Sequence, residues 1–193
     1  MERKDLEAVG AEYPHLRGLF LGPLGVVVIA SGLGNLEWGP FSNLLVAPAL
    51  FLAAALACLV IARFYQRNYG SVRVSRNAQI KGGVALAVCV PLLIGGSTMD
   101  HRLDLPVWGF LGSWAVLMLA SYGFSVGLKL HHKVIWGAAL VAGLLPIWGD
   151  LSPDLKSNLG LVVAGVGVIL TGIFDHLLLM RTFDSAARYG VEA

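Results

Sequence analysis

Asp175 and His176 stand side by side in a stretch that is otherwise apolar from Leu159 to Met180. A carboxylate and an imidazole inside a membrane-length segment are costly to bury, so they are candidates for holding an ion, relaying a proton or acting as a base. Thr171 precedes Asp175 by one helical turn and shares its face. By helical rise, Asp175 lies about 7.5 Å from Met180, towards one end of the segment and not at its middle. At that depth the expectation is an ion pair that pins the helix end, with Arg63 or Arg67 as partner, ahead of a proton or ion relay.

Three further groups carry chemistry-bearing side chains. Asp100-His101-Arg102-Leu103-Asp104 brings two carboxylates and an imidazole into five residues. With Asp150 or Asp154 they form a weak metal candidate at Asp100, His101 and Asp104, opposed by the cation of Arg102. His131-His132 offers two ligands and no third in its own sequence. Flanked by Lys129 and Lys133, it is expected to be a solvated loop drawn to anionic lipid. Arg63, Arg67, Arg73 and Arg76, interleaved with Phe64, Tyr65 and Tyr69, form a basic aromatic segment. It suits an anionic leaflet or an acidic surface on a cytosolic protein.

Motifs for other chemistry are few. The chain contains no HExxH, P-loop or SxxK pattern. Cys58 and Cys89 sit singly in apolar runs and read as small buried hydrophobes. No catalytic set and no cofactor follows from these residues. The net charge of +2 is spread among apolar segments and does not form a stripe for nucleic acid.

The elements that must position these residues are apolar and long. Of 193 residues, 56% are hydrophobic and 13% charged, about half the charged fraction of a soluble domain (about 25%). With a mean hydropathy of +0.73, the chain cannot make a polar shell, and its solvent must be largely lipid. Six segments stand out: 16–34, 44–62, 80–97, 107–128, 134–149 and 159–180. About 20 helical residues cross a hydrocarbon core of roughly 30 Å. The third and fifth segments are the shortest. None alternates as a barrel strand must. The expected fold is therefore an all-α integral membrane protein of six transmembrane helices arranged as three consecutive hairpins.

Basic residues orient it. With the amino terminus inside, twelve Lys and Arg fall on cytoplasmic parts, and only Arg102 and Lys156 fall outside. Such an imbalance in short loops is a positive-inside signal, and it places both termini in the cytoplasm. Trp38, Trp108 and Trp148 lie beside the outer loops, at the level indole rings favour. Residues 1–15 read as a cytoplasmic segment able to lie on the membrane surface, and 181–193 as a cytoplasmic tail. Mixed charges ahead of the first span (Glu2, Arg3, Lys4, Asp5) argue against a cleaved signal peptide. Pro106 is expected in the first turn of the fourth helix, and Ser152-Pro153-Asp154 in a turn before the sixth.

Small residues recur every fourth position, as in Gly18 with Gly22, Ala49 with Ala53 and Ala57, Gly123 with Gly127, and Ala139 with Gly143. Such rows let helices approach closely, and the expectation is contact within the bundle. The composition and short loops resemble those of many small bacterial membrane proteins, a likeness that carries no mechanism. Three functions fit the residues. The first is a non-enzymatic accessory or regulatory subunit of the inner or plasma membrane, docking to a membrane or cytosolic protein or to a second copy of itself. Next comes a small-solute or ion transporter or channel, which lacks a polar path through the spans. A lipid-modifying enzyme using Asp175 and His176 comes last, because it requires more catalytic groups than the chain supplies.

Overall fold

A computed structural model describes residues 16–69, 76–103, 105–125 and 127–190, with side chains left undescribed at 76–79, 81, 82, 85, 86, 125 and 184–190. A short 3-10 turn, Gly18–Phe20, leads into α1 (Leu21–Asn35). Then follow α2 (Val46–Tyr69), α3 (Arg76–Arg102), α4 (Gly109–Ser125), α5 (Leu130–Leu144) and α6 (Pro153–Gly190). The protein is all-α over the described residues. Three stretches are long and apolar enough to cross a membrane: Gly18–Asn35, Val46–Tyr69 and Pro153–Phe183. Gly109–Phe124 is apolar but shorter.

The ends of the elements differ from the sequence expectation in instructive ways. Helix α6 begins at Pro153, with the Ser152 hydroxyl accepting the Leu155 N–H, so Ser152-Pro153 is a cap and first turn and not a preceding loop. The same helix runs on to Gly190, through most of the stretch expected to be a tail. Helix α4 starts at Gly109, three residues after Pro106, whose carbonyl instead accepts the Trp148 N–H at 2.8 Å. Helix α5 starts at Leu130 and stops at Leu144, before Pro146, so it includes the histidine pair. Helix α3 stays continuous across Pro91. Residues 1–15 lie outside the described residues.

Helix α6 is the organising element. It packs most extensively along α1 and also touches α3, α4 and α5, while α3–α4 and α4–α5 are close pairs. The antiparallel α1–α6 seam is built on glycines seven residues apart: Gly18, Gly25 and Gly32 face Gly172, Gly165 and Asn158. A Cβ on Gly25 would lie 2.6 Å from the Gly165 carbonyl oxygen, and one on Gly165 would lie 2.7 Å from the Gly25 oxygen. A seven-residue period keeps one stripe facing a partner along gently supercoiled helices. The absence of side chains on that stripe brings the backbones into contact. Asn35 Nδ2 donates to Asn158 Oδ1 at 3.0 Å and closes one end of the seam.

The expected four-residue rows fare unevenly. Gly18 and Gly143 are close-packed, Gly143 against the Gly112 backbone of α4, but a Cβ at Gly22 would meet nothing within 4 Å. Ala49 and Ala53 are exposed on α2 and are not buried in the bundle. Helix α2 is the outlying element: none of the residues in its most apolar window is buried.

Candidate functional site

Where α4, α5 and α6 meet, three side chains close on one carboxylate. Asp175 of α6 is 1% exposed. Its Oδ1 lies 2.9 Å from His131 Nε2 and 2.9 Å from His132 Nε2. Tyr122 of α4 donates its hydroxyl to Oδ2 at 3.2 Å. The Tyr122 and His132 rings stack with centroids 3.8 Å apart, and Phe174 lies against His131 at 5.7 Å. Asp175 therefore meets imidazoles, and neither Arg63 nor Arg67 is its partner. Both arginines are exposed on the last turns of α2.

The local sequence explains the convergence. His131 and His132 are the second and third residues of α5, in the turn where side chains can reach back over the helix start. His132 does so: its Nδ1 accepts the Lys129 backbone N–H at 3.3 Å, filling the reciprocal role of a capping box. With Nδ1 accepting, the ring proton sits on Nε2 and points at Asp175. The expected solvated histidine loop is thus a helix start packed against α6, with His132 1% exposed.

One turn deeper the polar groups are spoken for. Trp136 Nε1 donates to Thr171 Oγ1 at 3.0 Å, and Thr171 donates to the Gly167 carbonyl at 2.8 Å. Thr171 shares the face of Asp175, as its spacing requires, but both of its hydrogen-bonding roles are occupied. His176 points elsewhere, towards α2, where its Nδ1 lies 3.0 Å from the Tyr65 hydroxyl. That hydroxyl also accepts the Leu19 N–H at 3.2 Å. Arg17 lies over the rings of Phe20 and Tyr65, at 4.7 and 5.2 Å from their centroids. Asp175 and His176, adjacent in sequence, thus serve two different junctions.

At the opposite end of the bundle, Asp100 and His101 of the weak metal candidate have hydrogen-bond partners within the fold. Asp100 is buried, and its two oxygens accept the N–H groups of Gly109 and Phe110 at 2.8 Å each, capping α4. His101 Nδ1 is 2.8 Å from the Ser97 carbonyl and Nε2 is 3.2 Å from Asp154 Oδ1. A carbonyl on one nitrogen and a carboxylate on the other favour the doubly protonated ring, so its pKa is raised, chiefly by the Ser97 carbonyl and then by Asp154. Lys156, which the sequence counts among the outer-loop charges, is 1% exposed. Its ammonium donates to the Leu105 and Val107 carbonyls at 2.9 and 3.3 Å. Asp104, Arg73 and the Arg76 side chain lie outside the described residues.

Sequence reasoning named Asp175 but missed three of its neighbours' roles. Tyr122, His131 and His132 lie 43 to 53 residues away along the chain. The one signal available was the adjacent histidines at the head of an apolar segment. No protein-family model, curated protein or solved structure matches this chain.

Proposed function

We propose that the protein is a six-span bundle of the inner or plasma membrane, with both termini cytoplasmic, acting as a non-enzymatic accessory or regulatory subunit. The observation that carries this reading is α2. It is 24 residues long, mostly apolar, and its most apolar window contains no buried residue. It leans on the bundle through α1 and the short 3-10 turns, and near its end through Tyr65, whose hydroxyl meets His176 of α6. Its exposed side includes the small residues Ala49 and Ala53 one turn apart. Without a hydrophobic drive between helices in lipid, close approach over small residues is what holds a neighbouring span. Exposed Arg63 and Arg67 on the same helix add positive charge where it leaves the apolar zone.

The interior supports a docking role over transport or catalysis. Thr171 and Trp136 bond to each other, and Asp175 is enclosed by His131, His132 and Tyr122. A cavity of about 280 Å³ lies between α1 and α2, lined by Val27, Ser31, Asn35, Asn43 and Leu50 among others, with no ionisable side chain.

The test is a photo-crosslinking residue at Ala53 in the protein expressed at native level, followed by mild extraction. A single discrete protein adduct and a complex larger than the monomer are expected, and Ala53→Leu should dissolve that complex without unfolding the bundle. Lipid adducts alone, with a monomer on extraction, would refute the reading.

A further inference from the structure

We propose that His131, His132 and Asp175 bind one divalent first-row transition ion of the Zn²⁺ class, which clamps the head of α5 to α6. Two imidazole nitrogens and a carboxylate oxygen point at one place, all within 4.8 Å of one another. They come from two helices that short-range sequence does not bring together. Imidazole and carboxylate suit borderline ions such as Zn²⁺, and three protein ligands form a stable site once a fourth donor joins them. Tyr122 stands at the second oxygen of Asp175, where it orients the carboxylate as outer-shell partners do.

Charge and solvent argue the same way. A carboxylate with 1% exposure needs a counter-charge. Its polar partners are imidazoles and a phenol, with no lysine or arginine reaching it among the described residues. Phe174 lies against His131 and the Tyr122 ring stacks on His132, and an apolar shell of this kind limits the access of water to a bound ion.

Loading the site requires one local change. An ion on His132 Nε2 moves the ring proton to Nδ1, which then cannot accept the Lys129 N–H. That bond, at 3.3 Å, is the longest in the cluster and is the one given up. Each Nε2 atom lies 2.9 Å from Oδ1 and needs to move only slightly away from that oxygen, since ligands at 2.0–2.1 Å in a tetrahedral shell lie about 3.3 Å apart.

The experiment uses the full-length chain in lipid nanodiscs, purified through a histidine-free tag, stripped with chelator and titrated with Co²⁺. One equivalent per chain is expected, with the intense visible bands of low-symmetry coordination, displaced by Zn²⁺. His131→Gln and Asp175→Asn should each weaken binding beyond the roughly 10–100-fold of an outer-shell change, the range expected for Tyr122→Phe. His101→Gln, at the far end, should leave it unchanged. His131 is partly exposed, so its variant keeps the test open if Asp175→Asn fails to fold. The proposal is overturned if wild type takes up no stoichiometric Co²⁺, or if variants with native helicity bind it equally. Docking through α2 stands or falls separately.

Discussion

Adding one methyl group to the glycine seam should loosen the bundle more than adding one elsewhere on the same helix. In Gly25→Ala the new Cβ would lie 2.5 Å from Ile169 Cγ1 and 2.6 Å from the Gly165 carbonyl oxygen. The isoleucine can rotate, but the carbonyl is backbone and cannot. Ordinary contact begins near 3.4 Å, so α1 and α6 must part locally by about 0.8 Å, a gap at which each atom pair loses about a quarter to a half of its attraction. Overpacking of this kind costs about 1–3 kcal/mol. Gly22→Ala is the comparison, because its Cβ meets nothing within 4 Å. Both variants share the helix-propensity gain of up to about 1 kcal/mol, so it largely cancels between them. The difference should be about 2 kcal/mol, or roughly a 30-fold shift in the folded-to-unfolded ratio. Reversible unfolding of the reconstituted protein, followed by helical circular dichroism, measures it. Equal stability of the two variants would show that the seven-residue seam does not hold α1 to α6.

Other perturbations have equally definite outcomes. Tyr65→Phe removes the hydroxyl shared by His176 and the Leu19 N–H and should lower stability by about 1–2 kcal/mol in the same unfolding assay. Asp100→Ala leaves two N–H groups at the head of α4 without acceptors and should cost about 2 kcal/mol. Because His101 has a raised pKa in the folded protein, its pairing with Asp154 stabilises below the ordinary histidine range and fades as pH rises through the raised value. The stability gap between wild type and Asp154→Asn should therefore shrink with rising pH. A gap that grows would contradict the pairing. Glu37, which leaves α1 with a left-handed φ of 53°, should gain up to about 1 kcal/mol on substitution by glycine, read as a higher thermal midpoint.

The helices were legible in the sequence because they are runs of apolar residues, and Ser152-Pro153 marks where α6 begins. The seam was legible too, though only at the right period. Gly18, Gly25 and Gly32 repeat every seven residues, and a four-residue search pairs Gly18 with the open Gly22 instead. Asp175 stood out because a carboxylate in an apolar run is conspicuous. Its partners did not, because adjacent histidines between two lysines look like a solvated loop until α5 is known to begin at Leu130. The capping role of Asp100 was hidden for a related reason: the helix it caps starts nine residues later, beyond the reach of local cap patterns. Lys156 reads as an outer charge, and only the fold of residues 105–107 shows the carbonyls that hold it.

The account depends on how the chain threads the bilayer, and cysteine accessibility measures that most directly. In a background with Cys58→Ser and Cys89→Ser, a membrane-impermeant maleimide is applied to intact cells carrying either Asp150→Cys or Lys133→Cys. The account predicts prompt labelling at position 150 and, at position 133, labelling only after the membrane is opened. Labelling at position 133 from outside would contradict it.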